Sequence, residues 1–459
     1  MPISRKISRV LSELLLSKDL RFYFVSDFAV SFMAFSLVAG WNPRVWMQTS
    51  AEIWISSLVF SLSFTGIALG TGLFEREHRF YAKSFIRSIA ISCVLALIST
   101  LFVIYFALFW KIGRFLLVFG SIGALVGVLL YHWVLSLVLN KYPYRFVVIG
   151  EASPITQGLR GLGKRAKKWM NYLHLNELQE WFFANKNLSA DQLAHKIQES
   201  RVIDVVMTDQ AAKDPRATEF AIAAMQVGCR VIDEVGFYSE IHEAFPSQIL
   251  SQNWFVFAGI DTRQNWSNFF KRIFDLSFAS VCLVVLSPLL LILAFIVMVS
   301  SPGPVLFIQE RQGRYRKPFK ILKFRTMKLD VNGSENPPST RANDPRVTWI
   351  GRLMRPLHLD ELPQIWNILR GEMSFVGPRP EVYSFTQEII REVPIYEFRC
   401  LVRPGLTGLS QIRVGYTLDN VEATFTKLAY DLYYVKNHSF VMDILIILRT
   451  AFVLTKKVH

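Results

Sequence analysis

The chain has 459 residues, 52% of them hydrophobic, and a formal net charge of +15. With a mean hydropathy of +0.30 it is too apolar for an ordinary soluble protein, so part of it is expected in lipid. The charge fits anionic headgroups, phosphorylated substrates or nucleic acid, and composition does not choose among them; Cys93, Cys229, Cys282 and Cys400 are too scattered for a zinc site or a disulfide framework.

Four apolar runs lie at roughly 22–41, 53–73, 85–110 and 115–139, each near the ~20 residues that cross a hydrocarbon core. Residues 1–142 are therefore expected to form a four-helix transmembrane bundle. A basic stretch precedes the first run and no small-residue cleavage site follows it, so it reads as a retained span and not a signal peptide. Cations concentrate before the first run (Arg5, Lys6, Arg9, Lys18, Arg21) and between the second and third (Arg76, Arg79, Lys83), whereas Arg44 stands alone in the first turn. That bias places both chain ends in the cytoplasm. The spans carry no ionisable pair suggesting a transport path, and the bundle reads as an anchor.

From Tyr144 the pattern changes. Arg145–Gly150, Arg201–Met207 and Arg230–Ile232 are short buried-strand patterns, with helical stretches at Ala190–Glu199 and Ala217–Gln226. Alternating strand and helix predict a small parallel α/β domain over 143–261. Gly150 is followed by Glu-Ala-Ser-Pro-Ile, so the further glycines that let a backbone approach pyrophosphate are missing. The domain is read as a degenerate, non-catalytic Rossmann-like module suited to regulation or dimer contacts.

A third domain, 262–459, opens with another apolar run over about 271–300, interrupted by Ser287 and Pro288. Proline removes a backbone donor and clashes with the carbonyl four residues back, so the helix must bend or break there. Lys271 and Arg272 precede the run and Arg311, Arg314, Arg316, Lys317 and Lys320 follow it. The positive-inside rule wants both ends cytoplasmic, which a re-entrant hairpin satisfies and a straight span does not; a kinked spanning helix is the alternative reading.

Beyond it, cations, glycines, prolines and a few acids alternate in a way that suits a phosphate-handling surface. Lys323 and Arg325 are expected on one face of an extended segment, because side chains alternate along a strand. Arg352, Arg355, Asp360-Glu361-Leu-Pro-Gln364, Gly377-Pro-Arg379-Pro380 and Arg403-Pro-Gly405-Leu-Thr-Gly408 follow. Guanidinium groups bind phosphate bidentately. Asp360 and Glu361 could simply cap a helix N-terminus; set among arginines and beside a membrane dip, they instead read as a phosphoryl nucleophile with a hard oxygen ligand for a divalent ion. The prolines flanking Arg379 hold it ready for phosphate.

From Lys271 onward the chain resembles the bacterial sugar transferases, the monotopic polyprenyl-phosphate phosphoglycosyl transferases. The matching blocks are Lys271–Asp275, Ser287-Pro288, Pro302-Gly-Pro304, Lys323–Met327, Asn343–Arg346, Leu359–Gln364, Met373–Pro380 and Arg403–Gly408. The preceding bundle and α/β module are similar to long-form members, which act on undecaprenyl phosphate at the start of exopolysaccharide, capsule or O-antigen assembly. The resemblance implies a membrane α plus α/β fold in which a mixed α/β catalytic domain carries the re-entrant helix broken at Ser287-Pro288.

It further implies transfer of a hexose-1-phosphate from a UDP-sugar to undecaprenyl phosphate through a phosphosugar ester on Asp360. Glu361, with Asp360, would hold Mg2+, and Lys323, Arg325, Arg355, Arg379, Arg403 and Asp431 would serve phosphate or substrate binding. The implied setting is the cytoplasmic face of the bacterial inner membrane, as a homodimer among phospholipids, with no nucleic-acid partner. Asp431 belongs to Tyr430-Asp431-Leu-Tyr433, where the family match resumes after departing at Leu409–Tyr416; that departure leaves open which residues touch uridine. Phe440–Lys457 fits an interfacial helix. A membrane-anchored nucleotide-sugar dehydratase or epimerase is the alternative enzyme class, opposed by the missing glycines and the lack of a Tyr-x-x-x-Lys pair. A non-catalytic scaffold leaves the arginines around one acid pair unexplained.

Overall fold

The structure is a computed structural model and describes residues 20–40, 50–70, 82–103, 114–141, 144–150, 172–174, 176–185, 188–246, 265–328, 344, 346–414 and 421–456. Arg5, Lys6, Arg9, Lys18, Arg44, Arg76 and Arg79, on which the expected orientation rests, lie outside these ranges. The chain divides into two compact units, Met1–His242 and Glu243–His459; the expected boundary at Asp261 lies outside the described residues.

In the first unit, α1 (Leu20–Gly40), α2 (Ser50–Gly70), α3 (Ala82–Phe102) and α4 (Arg114–Lys141) are long apolar helices. Their interior is polar in small increments: Ser31, Ser56, Ser57, Ser61, Thr65, Ser92, Thr100 and Ser121 are buried, while Leu37, Trp54, Val94, Leu130 and Trp133 point outward. Ser57, Thr65, Thr100 and Ser121 return hydrogen bonds to carbonyls of their own helices. Ser36 meets Ser57 between α1 and α2, and Ser99 meets Ser63 between α3 and α2. On α4, Gly123 and Gly127 let Val38 and Ala34 of α1 approach; a Cβ at either glycine would come within 2.6 Å of those side chains. Small residues inside and large apolar ones outside is the pattern expected of helices in lipid; among the described residues of these four, α4 is long and apolar enough to cross a membrane, and the apolar windows of α1–α3 are shorter.

Although no transport path is expected of these helices, α1 and α4 share one pair of titratable side chains. Asp27 of α1, fully buried, meets Nε2 of His132 on α4 at 3.0 Å. The partners are 105 residues apart in sequence, so neither residue signals the pairing locally.

Four parallel strands follow in the order β2-β1-β3-β4: β1 (Tyr144–Ile149), β2 (Tyr172–His174), β3 (Asp204–Met207) and β4 (Arg230–Asp233). Val147, Ile149, Val205 and Met207 pack with Leu193 and Ile197 of α6 (Ala190–Ser200) and Phe220 of α7 (Pro215–Gln226), and with Phe182 of α5 (Asn176–Ala184). The first helix of this layer, α5, and strand β2 were not anticipated. Gly150 has φ +125°, and a Cβ there would lie 1.9 Å from Oγ1 of Thr208. This glycine serves a close approach between the ends of β1 and β3, a role distinct from cradling a phosphate. Helix α8 (Glu234–His242) closes the unit.

The second unit begins with α9 (Asn265–Ser300), which stays helical through Pro288. Proline orphans the carbonyl of Val284, four residues back, and the Ser287 hydroxyl donates to that carbonyl at 2.8 Å. The Ser-Pro pair thus combines a helix breaker with the donor that compensates it. Arg272 donates to the carbonyls of Ile368 and Leu369, while Val297 clusters with Leu359 and Leu362. The two halves of α9 thus flank the 359–370 segment, one on each side of Pro288.

Strands β5 (Leu306–Gln312) and β6 (Pro318–Phe324) form an antiparallel hairpin. After α10 (Trp349–Met354), a 3₁₀ turn (Leu359–Gln364) leads into α11 (Ile365–Arg370). Strand β7 (Ser374–Val376) pairs in parallel with β8 (Gly405–Thr407), with α12 (Tyr383–Glu392) between them and α13 (Leu409–Arg413), α14 (Val421–Asn437) and α15 (Phe440–Lys456) after. Helix α15 buries Leu445 and Ile446 and brings Asp443 to Lys271 of α9 at 2.5 Å.

Candidate active site

The acid pair sits in the 3₁₀ turn, after His358 takes a left-handed backbone (φ 54°) that turns the chain out of α10. What fixes the turn is Asn367, fully buried one helical turn on. Its Oδ1 accepts from the Leu322 amide and its Nδ2 donates to the Lys320 carbonyl. The side chain thus stands in for a neighbouring strand along β6. A polar residue on the buried face of a short helix was the only signal for it, and it went unread.

With the turn docked, Glu361 meets two cations: Lys323 Nζ at 2.7 Å and an Arg379 guanidinium nitrogen at 3.0 Å, both on Oε1. Burial alone would raise the Glu361 carboxyl, but Arg379 and Lys323 outweigh it and hold it well below the usual carboxylate range. Asp360 behaves oppositely. Burial and the neighbouring Glu361 charge outweigh Lys323 and Arg355 and push its carboxyl up to about 6. Adjacent acids with divergent proton affinities are a recurring mark of divided roles.

Arg379 is positioned by its loop. Gly377 packs so closely against the Arg403 carbonyl that a Cβ would lie 2.3 Å from it. The Pro378 carbonyl accepts from the Gly405 amide, and Arg399 donates to the carbonyl of Arg379 itself. Arg355 extends from the end of α10, its Nε bonded to Thr326 Oγ1 at 2.9 Å and its charge interacting with Asp360. Arg311 of β5, not anticipated as a site residue, interacts with Arg379 and Glu361 and donates to the Pro380 carbonyl.

The remaining expected residues lie elsewhere. β6 ends at Phe324, so the alternation argument does not carry Arg325 to the face of Lys323. Arg325 is buried and donates instead to the carbonyls of Ser301 and Val297 at the end of α9, where cations are favoured by the helix dipole. Asp431 is 2% exposed, with one oxygen held by Arg399 and the other by Ser410. It buttresses Arg399, and through it the Arg379 loop. Arg403 interacts with Arg272, Arg314 and Asp275, away from the acid pair. Ser287 and Pro288 shape α9 as described.

Among the described residues no group of three or more His, Cys, Asp and Glu side chains gathers to hold a metal. The acid pair still suits Mg2+, which keeps most of its waters and takes one or two carboxylates plus substrate phosphate oxygens. Asp360 and the Oε2 of Glu361 are the donors on offer, because Lys323 and Arg379 both occupy Oε1.

Trp349 and Leu353 of α10, and Leu357 and Trp366 on either side of the acid pair in the chain, are exposed, and between residues 268 and 300 α9 buries only Lys271, Asp275, Ala279, Leu293 and Val297. A helix in a soluble core would be mostly buried.

Comparison with known proteins gives one family model, bacterial sugar transferase, matching residues 266–457. A UDP-N-acetylgalactosamine-undecaprenyl-phosphate N-acetylgalactosaminephosphotransferase of Aeromonas hydrophila is 42% identical over 184 residues, covering 40% of this chain and 43% of the relative. A UDP-glucose:undecaprenyl-phosphate glucose-1-phosphate transferase of Klebsiella pneumoniae is 42% identical over 40% of this chain and 39% of its own. An exopolysaccharide production protein of Rhizobium leguminosarum bv. phaseoli is 42% identical over 39% of this chain and 92% of its own length. The chain thus spans about two fifths of the first two relatives and nearly all of the third.

Proposed function

We propose, from the premise that the chain belongs to the bacterial sugar transferase family, that it moves a hexose-1-phosphate from a UDP-sugar to undecaprenyl phosphate. The observation that carries this reading is the Asp360–Glu361 pair among Lys323, Arg355 and Arg379, with exposed Leu357 and Trp366 on either side of it in the chain. A carboxylate with raised proton affinity is a better nucleophile than an ordinary one and remains largely ionised at pH 7.

An Asp360 oxygen attacks the sugar-linked phosphorus of the donor. The bond from that phosphorus to the bridging oxygen breaks, and UMP leaves with the electron pair. Arg355, Arg379 and Lys323 bind the phosphate oxygens whose charge shifts during transfer. A phosphate oxygen of the polyprenyl acceptor then attacks the same phosphorus, breaks its bond to Asp360 and restores the carboxylate, giving polyprenyl-diphosphate-sugar. Mg2+ held by Asp360 and Glu361 would neutralise diphosphate charge. Lys323 and Arg379 fix Glu361 in place, and Asn367 keeps the turn docked.

In the same reading, α1–α4 anchor the chain in the bacterial inner membrane, and the bent α9 enters and leaves on the cytoplasmic face, bringing the acid pair to headgroup level. The α/β module is a degenerate Rossmann-like domain without nucleotide, and the protein works as a homodimer at the first membrane step of exopolysaccharide, capsule or O-antigen synthesis. The inside-out composition of α1–α4 and the Ser287-compensated Pro288 support the membrane parts of this account.

The deciding experiment incubates full-length protein with undecaprenyl phosphate and a panel of UDP-sugars, following UMP and the lipid product. The expected result is UMP release with one or a few sugars, ping-pong kinetics, and a sugar-phosphate adduct when acceptor is withheld. Donor turnover that alters the sugar without releasing UMP would replace this reading with a dehydratase or epimerase.

A further inference from the structure

A second cationic place lies within the catalytic unit, at the foot of α9. Asn268 and Lys271 of α9, Arg314 from the turn after β5, Arg403 before β8, Tyr434 of α14 and His438 between α14 and α15 line a crevice of about 20 Å³. That is room for one or two ligand oxygens, too little for a sugar or a base. Its charge is unbalanced: Lys271, Arg272, Arg314 and Arg403 stand against Asp275 and Asp443, four cations to two acids.

The donors are unequally used. Lys271 spends its three hydrogens on Val376, Tyr434 and Asp443. Arg272 is committed to the carbonyls of Ile368 and Leu369, and Arg314 to Leu401 and Tyr315. Arg403, partly buried, makes no hydrogen bond among the described residues, and like-charged Arg272 and Arg314 face it. His438 is 6% exposed; its Nδ1 bonds the Val435 carbonyl at 2.9 Å, and its buried Nε2 has no partner. Burial lowers the proton affinity of this imidazole, so Nδ1 carries the hydrogen and Nε2 presents a lone pair. A guanidinium without a hydrogen-bond partner among the described residues and an unused imidazole acceptor, lining one crevice, together complement an anionic oxygen adjoining a hydroxyl.

We propose that this crevice is an anion site, separate from the acid pair, that takes a phosphate group bearing a hydroxyl, with Arg403 donating to its anionic oxygens and His438 Nε2 accepting from the hydroxyl. No side chain is shared with the catalytic centre: Asp360 and Glu361 interact with Lys323, Arg355 and Arg379, whereas Arg403 interacts with Arg272, Arg314 and Asp275. Monoprotonated inorganic phosphate carries the hydroxyl on phosphorus itself, and the headgroup of phosphatidylglycerol presents a phosphodiester oxygen with the hydroxyl on its glycerol.

The test uses the full chain in phosphatidylcholine nanodiscs, titrated with inorganic phosphate and followed by phosphorus NMR, and in parallel in nanodiscs containing phosphatidylglycerol, followed by thermal unfolding. If the site takes soluble phosphate, wild type binds one equivalent that weakens at least tenfold in Arg403→Gln and His438→Gln but not in Asp360→Asn. If it takes the headgroup, phosphatidylglycerol raises the wild-type Tm, and that shift disappears in the same two variants. Arg403→Lys restores part of either signal, which separates anion binding from a folding defect; should Arg403→Gln fail to fold, His438→Gln carries the comparison. Phosphate binding and lipid-dependent Tm both equal to wild type in His438→Gln and in folded Arg403 variants would overturn the proposal.

Discussion

Asp27 and His132 face each other across two apolar helices, and Lys323, Arg379 and Glu361 converge at the end of a strand. Each draws a buried carboxylate to a nitrogen-bearing side chain, yet their settings differ. In α1–α4 one acid meets one imidazole, serine and threonine hydroxyls bond back to their own helices, and large apolar side chains cover the outside. Around the acid pair, Lys323, Arg311, Arg355 and Arg379 outnumber Asp360, Glu361 and Glu381. A buried pair that closes on itself specifies how helices associate. An excess of buried cations costs stability unless an anion arrives, and so marks a place where one is expected.

The contrast is open to attack in order of expected effect. Asp360→Asn keeps size and removes the nucleophile, so UMP release is expected to fall about 10⁴-fold or more with Tm unchanged; turnover within tenfold of wild type would reduce the acid pair to structure. Arg355→Gln removes a guanidinium whose hydrogen-bonded anchor is Thr326. A loss of about 10²-fold in kcat/KM is expected, and a change confined to Tm would assign Arg355 to packing. Asp360 loses its negative charge as pH falls through about 6. The kcat/KM profile is therefore expected to drop about tenfold per pH unit below that point, at a lower pH once a divalent ion is bound, and a profile flat down to pH 4 would remove Asp360 as the base form required. Smallest is Asp27→Asn, expected to destabilise the helices by about 1 kcal/mol while leaving UMP release as it was. A parallel loss of turnover would tie α1–α4 to the chemistry.

How far these regions could be read from the chain follows from the range of the interactions. The Ser287-Pro288 signal is local, since proline and the hydroxyl that compensates its orphaned carbonyl are neighbours. Asp360 and Glu361 were visible as adjacent acids among arginines. Lys323 and Arg325 were expected together because strand alternation was carried one residue past the end of β6, where the backbone instead turns Arg325 toward the carbonyls of α9. Asp431 and Arg403 were assigned by motif, and a motif does not say which way a side chain points. One buttresses the Arg379 loop through Arg399, and the other faces the foot of α9. Asn367 and the Asp27–His132 pair are long-range contacts with no local periodicity to announce them.

Glu361 engages Lys323 and Arg379 through Oε1. An ammonium has three hydrogens and a guanidinium five, so under the proposed function a diphosphate can add to these cations without displacing the carboxylate. The carboxylate then keeps both cations at one spot through donor binding, transfer and product release, and the cradle need not be rebuilt between the two halves of the reaction.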